Sequence, residues 1–378
     1  MSIQILRNTR MWISTATGDS PAYTPTNTHE IEIQSDYSFS QDNNSTDITV
    51  DEAGERPTRG SERFNDSLNP ADWSFTTYLN PYIETGTVQT PDSMLWNALA
   101  TDEPYDLATD PGASGNATNF LVKFLNNSAH VLGKFDLIFH VDNVWYKITD
   151  CQVGTASISV DISDLGKIAW SGQGKLLLPL TSAPFDPATA ARGYTPAMLA
   201  APYIENKLTT LVVTDNNASK SYSVPITGAT IDINNNVTFL TPDSLSRVDR
   251  PVASYTGTFD VSGSLDAYLR TNSTGLGGTA ELLADMLDSS EVQNSFTIAI
   301  CMGGRYTVPS PGVVLVMKSA HLSIPSVSTA DVLTTSIDIK AIPTELDTGD
   351  EIYLGMSPVY TTALIDDLIE LGDADPAP

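Results

Sequence analysis

Twice in this chain an alternating strand closes on Tyr-Leu and then, after a turn-rich loop, gives way to a short amphipathic helix. The first instance is Trp73-Ser74-Phe75-Thr76-Thr77-Tyr78-Leu79, followed by Pro91-Asp92-Ser93-Met94-Leu95-Trp96-Asn97-Ala98-Leu99-Ala100. The second is Val261-Ser262-Gly263-Ser264-Leu265-Asp266-Ala267-Tyr268-Leu269, followed by Thr279-Ala280-Glu281-Leu282-Leu283-Ala284-Asp285-Met286-Leu287. Apolar residues at 95, 96 and 99, and at 282, 283, 286 and 287, fit the spacing of one helix face. Thr279 and Glu281 suit a helix start, where a hydroxyl and a carboxylate complement unpaired backbone N–H groups.

Almost everything else reads as short strands. Alternating or β-branched runs such as Arg10-Met11-Trp12-Ile13-Ser14, Phe135-Asp136-Leu137-Ile138-Phe139 and Thr335-Ser336-Ile337-Asp338-Ile339 are separated by Asn, Asp, Gly, Ser and Pro clusters. That pattern predicts a mainly β fold of the sandwich or barrel type. Further landmarks recur in the same order. Ile48-Thr49-Val50 matches Thr238-Phe239-Leu240, and Val160 with Asp164-Leu165 matches Val327 with Asp331-Val332. The repeat predicts two tandem domains, each with one flanking helix. The boundaries expected are 1–178 for the first domain, 179–204 for a Pro- and Ala-rich linker, and 205–350 for the second domain. Residues 351–378 are expected to form an acidic tail whose stripe at 364, 365, 368 and 369 suits a short helix. A length of 378 residues accommodates two domains of this size.

The charge balance narrows function. Nineteen Lys and Arg against 46 Asp and Glu give a net charge of −27. Gripping DNA rests on cationic side chains displacing counterions from phosphates, so the charge argues against a DNA-gripping role and is compatible with one in which DNA passes without sticking. No apolar run is long enough to span a bilayer, and 1–7 lacks the apolar stretch of a signal peptide. Cys151 and Cys301 have no CxxC partner and read as buried free thiols. His29, His130, His140 and His321 stand in no metal-ligand spacing, and no nucleophile elbow or phosphate loop is present. The sequence therefore predicts no enzyme, no cofactor and no metal site.

The segment Arg56-Pro57-Thr58-Arg59-Gly60-Ser61-Glu62-Arg63-Phe64-Asn65-Asp66-Ser67-Leu68-Asn69-Pro70-Ala71-Asp72-Trp73-Ser74-Phe75-Thr76-Thr77-Tyr78-Leu79 resembles the tail tube proteins of long, flexible-tailed (siphovirus-type) bacteriophages. In that family an arginine-bearing loop leads through a short Pro turn into an aromatic alternating strand followed by a helix. The second half carries a plainer version without the Trp and Phe.

The resemblance implies a structural protein of the virion. Its domains would form six-fold rings that stack into a hollow tube through which double-stranded DNA leaves without specific binding. Two domains per chain would close the ring as a trimer. The partners implied are the chain itself, the tape measure protein in the lumen during assembly, and the tail terminator and tail-tip proteins. Core or interface positions expected beside the helices are Trp73, Phe75, Tyr78, Leu265 and Tyr268, with Arg59 and Arg63 as candidates for contacts between copies. A tail terminator, a baseplate hub or a carbohydrate-binding adhesin module is the alternative for a chain of this composition.

Overall fold

Alternation decides the layers. In the strand Ala71–Tyr78 the residues Ala71, Trp73, Phe75 and Thr77 are buried, while Asp72, Ser74, Thr76 and Tyr78 face outward. A similar division holds in Ile226–Asn234, Asp260–Tyr268 and Thr334–Ala341, where Ala229, Ile231, Ile233, Val261, Leu265, Ala267, Ile337, Ile339 and Ala341 are buried at every second position. The computed structural model describes residues 8–18, 20–49, 61–101, 112–124, 132–216, 220–241, 250–271, 276–288, 295–305, 308–323, 326–328, 333–345 and 348–359.

These strands make one antiparallel run across the molecule. Its order is Ser38–Ser40, Ala71–Tyr78, Lys167–Gly174, Val144–Asp161, Ile226–Asn234, Asp260–Tyr268, Thr334–Ala341 and Ser326–Ser328. A second layer covers its apolar side. In the first half that layer contains Thr9–Ser14, Thr28–Ile31, Phe135–Val141, the start of Val144–Asp161, and Leu176–Leu180. In the second half it contains Thr210–Asp215, Lys220–Val224, Phe296–Arg305, the start of Val308–Leu322, Tyr353–Ser357 and Phe120–Lys123. The 18-residue strand Val144–Asp161 passes from one layer to the other, bending at a bulge between Val153 and Thr155.

The order of pairings is alike in the two halves. Thr9–Ser14 pairs with Thr28–Ile31 and Phe135–Val141; Thr210–Asp215 pairs with Lys220–Val224 and Phe296–Arg305. A hairpin of Asn43–Thr49 and Ser61–Leu68 precedes Ala71–Tyr78, and one of Val237–Leu240 and Ala253–Thr256 precedes Asp260–Tyr268. Helices Ser93–Ala100 and Thr279–Asp288 follow those strands. Lys167 lies opposite Tyr78 as Thr334 lies opposite Tyr268. Asp142 and Gly303, in the turn after Phe135–Val141 and inside Phe296–Arg305, share a positive φ of 55° and 67°.

Aromatic packing concentrates in the first half, which contains all five tryptophans. Trp73 stacks on Phe75 at 5.4 Å between ring centroids and meets Phe135 edge-on at 5.8 Å. Trp96, on the first helix, meets Trp170 edge-on at 5.0 Å. Trp170 Nε1 donates to Thr77 Oγ1 at 2.9 Å, and Thr77 donates to the Asp92 carboxylate at 3.2 Å. Thr90 donates to the other Asp92 oxygen. Asp92 is the residue just before the helix, and burial pushes its carboxyl up to about 6.

A folded-state value above the ordinary 3.8 means that the neutral acid is the better-tolerated form. The stability it contributes is fully present below about pH 4 and is lost as pH rises through about 6, up to about 3 kcal/mol in all. Asp92→Asn is therefore expected to gain stability relative to the parent chain as pH goes from 4 to 7, read from urea midpoints in tryptophan fluorescence. A parallel pH dependence in the two proteins would refute this.

Two stretches differ from the sequence expectation. Residues 179–204, expected as a linker, are packed along the first half. Phe185 sits edge-on to Trp12 at 5.6 Å, Arg192 N donates to Thr28 O at 2.8 Å, and Arg192 pairs with Glu84. Small residues and prolines describe a packed strap as well as they describe a loose linker. Beyond residue 350 the chain still contributes a buried strand, Tyr353–Ser357, inserted between Val308–Leu322 and Phe120–Lys123. The helix expected over 362–371 lies outside the described residues.

Candidate functional site

The outward side of the strand run is a continuous polar surface. Ser38, Ser40, Asp72, Ser74 and Thr76 lie on it in the first half, followed by Lys167, Ala169, Ser171 and Gln173. Thr155, Ser157, Ser159 and Asp161 continue it into Thr230, Asp232 and Asn234 of the second half. Ser262, Ser264 and Asp266 and then Thr334, Ser336, Asp338 and Lys340 complete it. Cross-strand partners share a face, so the pairs Ser157↔Asp232, Asp232↔Ser262 and Ser262↔Lys340 form one row from first half to second.

Short hydroxyl side chains dominate and stand low above the sheet. Ser38 and Ser74 share a hydrogen bond of 2.8 Å, Thr76 donates to Asp36 at 2.6 Å, and Gln173 donates to Asp72 at 2.9 Å. The two cations are each held by an aspartate: Lys167 by Asp164 at 2.6 Å, and Lys340 by Asp260. The Lys167 ammonium beside Asp164 holds that carboxyl below its ordinary value. Asp72, Asp161, Asp232, Asp266 and Asp338 carry no ion pair to the described residues. Among the described residues the surface is therefore acidic, and it carries an open depression of about 440 Å³ over Ser38, Ser74, Ser171 and Asn234.

The two edges of the run are the second feature. Inside the chain, Thr155–Asp161 of the first half pairs with 228–234 of the second, joining the halves through backbone hydrogen bonds. At one outer edge Ser38–Ser40 pairs on one side only, with Asp72–Ser74. At the other, Ser326–Ser328 pairs on one side only, with Thr334–Ser336. Both statements are made among the described residues. The register through Tyr78 and Tyr268 gives Ser38–Ser40 the place that Thr230–Asp232 has in the second half. It gives Ser326–Ser328 the place that Ser157–Ser159 has in the first. The open edges thus match the two sides of the joint already made inside the chain.

The residues singled out from the sequence fall into different settings. Trp73, Phe75 and Leu265 are core residues, each 2% exposed or less. Tyr78 is half-buried, edge-on to Tyr203 at 5.2 Å with the Lys167 ammonium 5.9 Å from its ring. Tyr268, at the same position of the second half, is 46% exposed. Arg63 is paired within its own hairpin, Nε to Asp47 Oδ1 at 2.6 Å, and both side chains are exposed. Arg59 lies outside the described residues. The polar face itself was missed from sequence, although its signal was present as the every-second-residue series Ser157, Ser159, Asp161 and Ser262, Ser264, Asp266.

Other groups give no sign of chemistry. Cys151 and Cys301 are both buried and neither forms a disulfide, and burial pushes the Cys151 thiol well up. His29, half-buried, is pushed down to about 4 by burial and by Arg192, which keeps it neutral at pH 7. Among the described residues no three His, Cys, Asp or Glu side chains gather as a metal-binding set, and no helix is long and apolar enough to cross a membrane.

Comparison with known proteins supplies a consistent context. Residues 14–341 match the family described as phage tail tube protein. The chain is also 48% identical over 376 residues to the tail tube protein pb6 of Escherichia phage T5, a match covering 99% of this chain and 80% of the relative.

Proposed function

We propose that this chain, which belongs to the phage tail tube protein family and is a structural virion component rather than an enzyme, closes as a trimer into a ring of six domain positions. These rings would stack into the tube that carries DNA. The joint inside the chain supports this reading best. Thr155–Asp161 pairs with 228–234, and among the described residues the matching edges Ser326–Ser328 and Ser38–Ser40 each pair on one side only, which supports the same joint between copies. A heterologous contact that closes produces a ring and leaves no edge exposed. The likeness of the pairings supports reading the halves as two copies of one tube domain. With two domains per chain, the six-fold order implied by the family resemblance requires three chains.

The register of the contact between copies follows from the internal joint. Ser157↔Asp232, Ile158↔Ile231 and Ser159↔Thr230 translate into Ser326↔Ser40, Val327↔Phe39 and Ser328↔Ser38 of the next copy. Closing the ring this way puts the hydroxyl and aspartate face of every chain on one continuous surface. We assign that surface to the lumen, where it would meet the tape measure protein during assembly and DNA afterwards. DNA would pass because, among the described residues, the two cations on this face are each already paired with an aspartate.

Ser40→Cys combined with Ser326→Cys tests the ring. Mild oxidation of the assembled protein is expected to give a ladder that ends at a covalent trimer in non-reducing electrophoresis. A ladder running past the trimer, or no cross-link in assembled protein, would refute the closed three-chain ring.

A further inference from the structure

Both halves end on the same construction, but among the described residues only one of these ends is covered. In the first half Leu79 N donates to Gly166 O at 2.9 Å, and in the second Leu269 N donates to Leu333 O at 3.0 Å. Over the first end lies the segment that leads into the second half. Gly166 N donates to Ile204 O at 2.8 Å, Asn206 N donates to Asp164 O at 3.3 Å, and Asn206 Nδ2 donates to Leu165 O at 3.1 Å. Ile204 and Leu79 are fully buried there, and Tyr203 packs against Tyr78. At the second end Tyr268 is 46% exposed and Leu333 44% exposed among the described residues, and Leu269 is only half-buried.

The covering segment has a counterpart in the chain. Residues 203–206 run into Thr210–Asp215, which pairs with Phe296–Arg305. Residues 3–6, outside the described residues, precede Thr9–Ser14, which pairs in the same way with Phe135–Val141. Met11 opposite Phe139 holds the place of Leu211 opposite Ile300, so position 204 corresponds to position 4. The sequence there is Ile3-Gln4-Ile5-Leu6, apolar enough to cover an apolar end.

We infer that the end formed by Tyr268, Leu269 and Leu333 is the docking site for the Ile3-Gln4-Ile5-Leu6 segment of a neighbouring copy. This rests on the three-chain ring proposed above, in which the second half of one copy is followed by the first half of the next. The ring is then held by two contacts per joint, the sheet edge and this end. Inside the chain the corresponding contacts are the Thr155–Asp161 joint and the Ile204 contact.

Cross-linking separates the two claims. Gln4→Cys with Leu333→Cys, oxidised in assembled protein, is expected to give a ladder ending at a covalent trimer, as Ser40→Cys with Ser326→Cys does. A ladder from the 40–326 pair but none from the 4–333 pair would overturn the docking site and leave the ring standing. A 4–333 link formed within one chain, seen as a shifted monomer, would also overturn it. Failure of both pairs would refute the ring and the docking site together. As a measurement independent of cysteine geometry, Ile3→Asp with Ile5→Asp is expected to weaken ring formation about tenfold in protein concentration. An unchanged midpoint for assembly would count against the site.

Discussion

Replacing Asp72, Asp232, Asp266 and Asp338 together by lysine is expected to leave tubes that assemble but release DNA about tenfold more slowly at low salt. These four aspartates stand on the outward face of the strand run, and none is engaged in an ion pair with the described residues. Their exchange therefore removes no structural contact between charged groups. It replaces a surface that repels phosphate with one that binds it. Each phosphate neutralised adds about 0.9 to the slope of log binding against log salt. The retardation should consequently fade as salt rises, and a parallel variant carrying asparagine at the four positions should release DNA at the parental rate. Release triggered in vitro and followed by a DNA-binding dye measures this directly. Equal rates for the lysine variant and the parent across salt would mean that the acidity serves solubility and that the lumen lies elsewhere.

A large stability effect is expected at a single glycine. Gly263 occupies in the second half the position that Trp73 has in the first, each five residues before the tyrosine that closes its strand. Opposite Trp73 stands Gly172, where an added Cβ would lie 2.6 Å from the Trp73 ring. Opposite Gly263 stands Ile339. The bulky residue has changed strands between the halves; Gly172 makes room for the Trp73 ring, while the side chain nearest Gly263 is Ile231 on the other neighbouring strand. A Cβ at Gly263 would meet Thr230 O at 2.3 Å and Ile231 Cδ1 at 2.7 Å. The backbone oxygen has little freedom to move away. Gly263→Trp is expected to cost about 3 kcal/mol or more through overpacking. Trp73→Ala is expected to cost about 3–5 kcal/mol through the cavity it leaves. Adding Ile339→Gly to Gly263→Trp should recover part of the loss, a coupling that urea denaturation followed by circular dichroism will resolve. Simple additivity of the two changes would show that the exchange across strands is not what sets the packing.

Local pattern made much of this architecture legible. Helices expected over 91–100 and 279–287 are present as Ser93–Ala100 and Thr279–Asp288, because leucines at helical spacing face an apolar sheet. The Trp73, Phe75 and Leu265 side chains are buried as their alternation implies. Register was harder. Val327 matches Val160 in residue type, yet the pairings place Val327 opposite Thr335 and Ile158 opposite Ile168, which makes Ile158 its counterpart. A bulge between Val153 and Thr155 and an irregularity between Ile226 and Gly228 in the second half shift the frame, and such shifts leave no mark in composition. The buried strand Tyr353–Ser357 was masked by acidic neighbours, since Asp350 and Glu351 are themselves largely buried. The joint of Thr155–Asp161 with 228–234 connects residues far apart in sequence and could be seen only in the fold.

The assembled tube gives the most direct test. Cryo-electron microscopy should show three chains per ring, with Ser326↔Ser40 paired between copies and Asp72, Ser157, Asp232 and Ser264 facing the central channel. Six chains per ring, or the same face turned to the outside of the tube, would contradict the account.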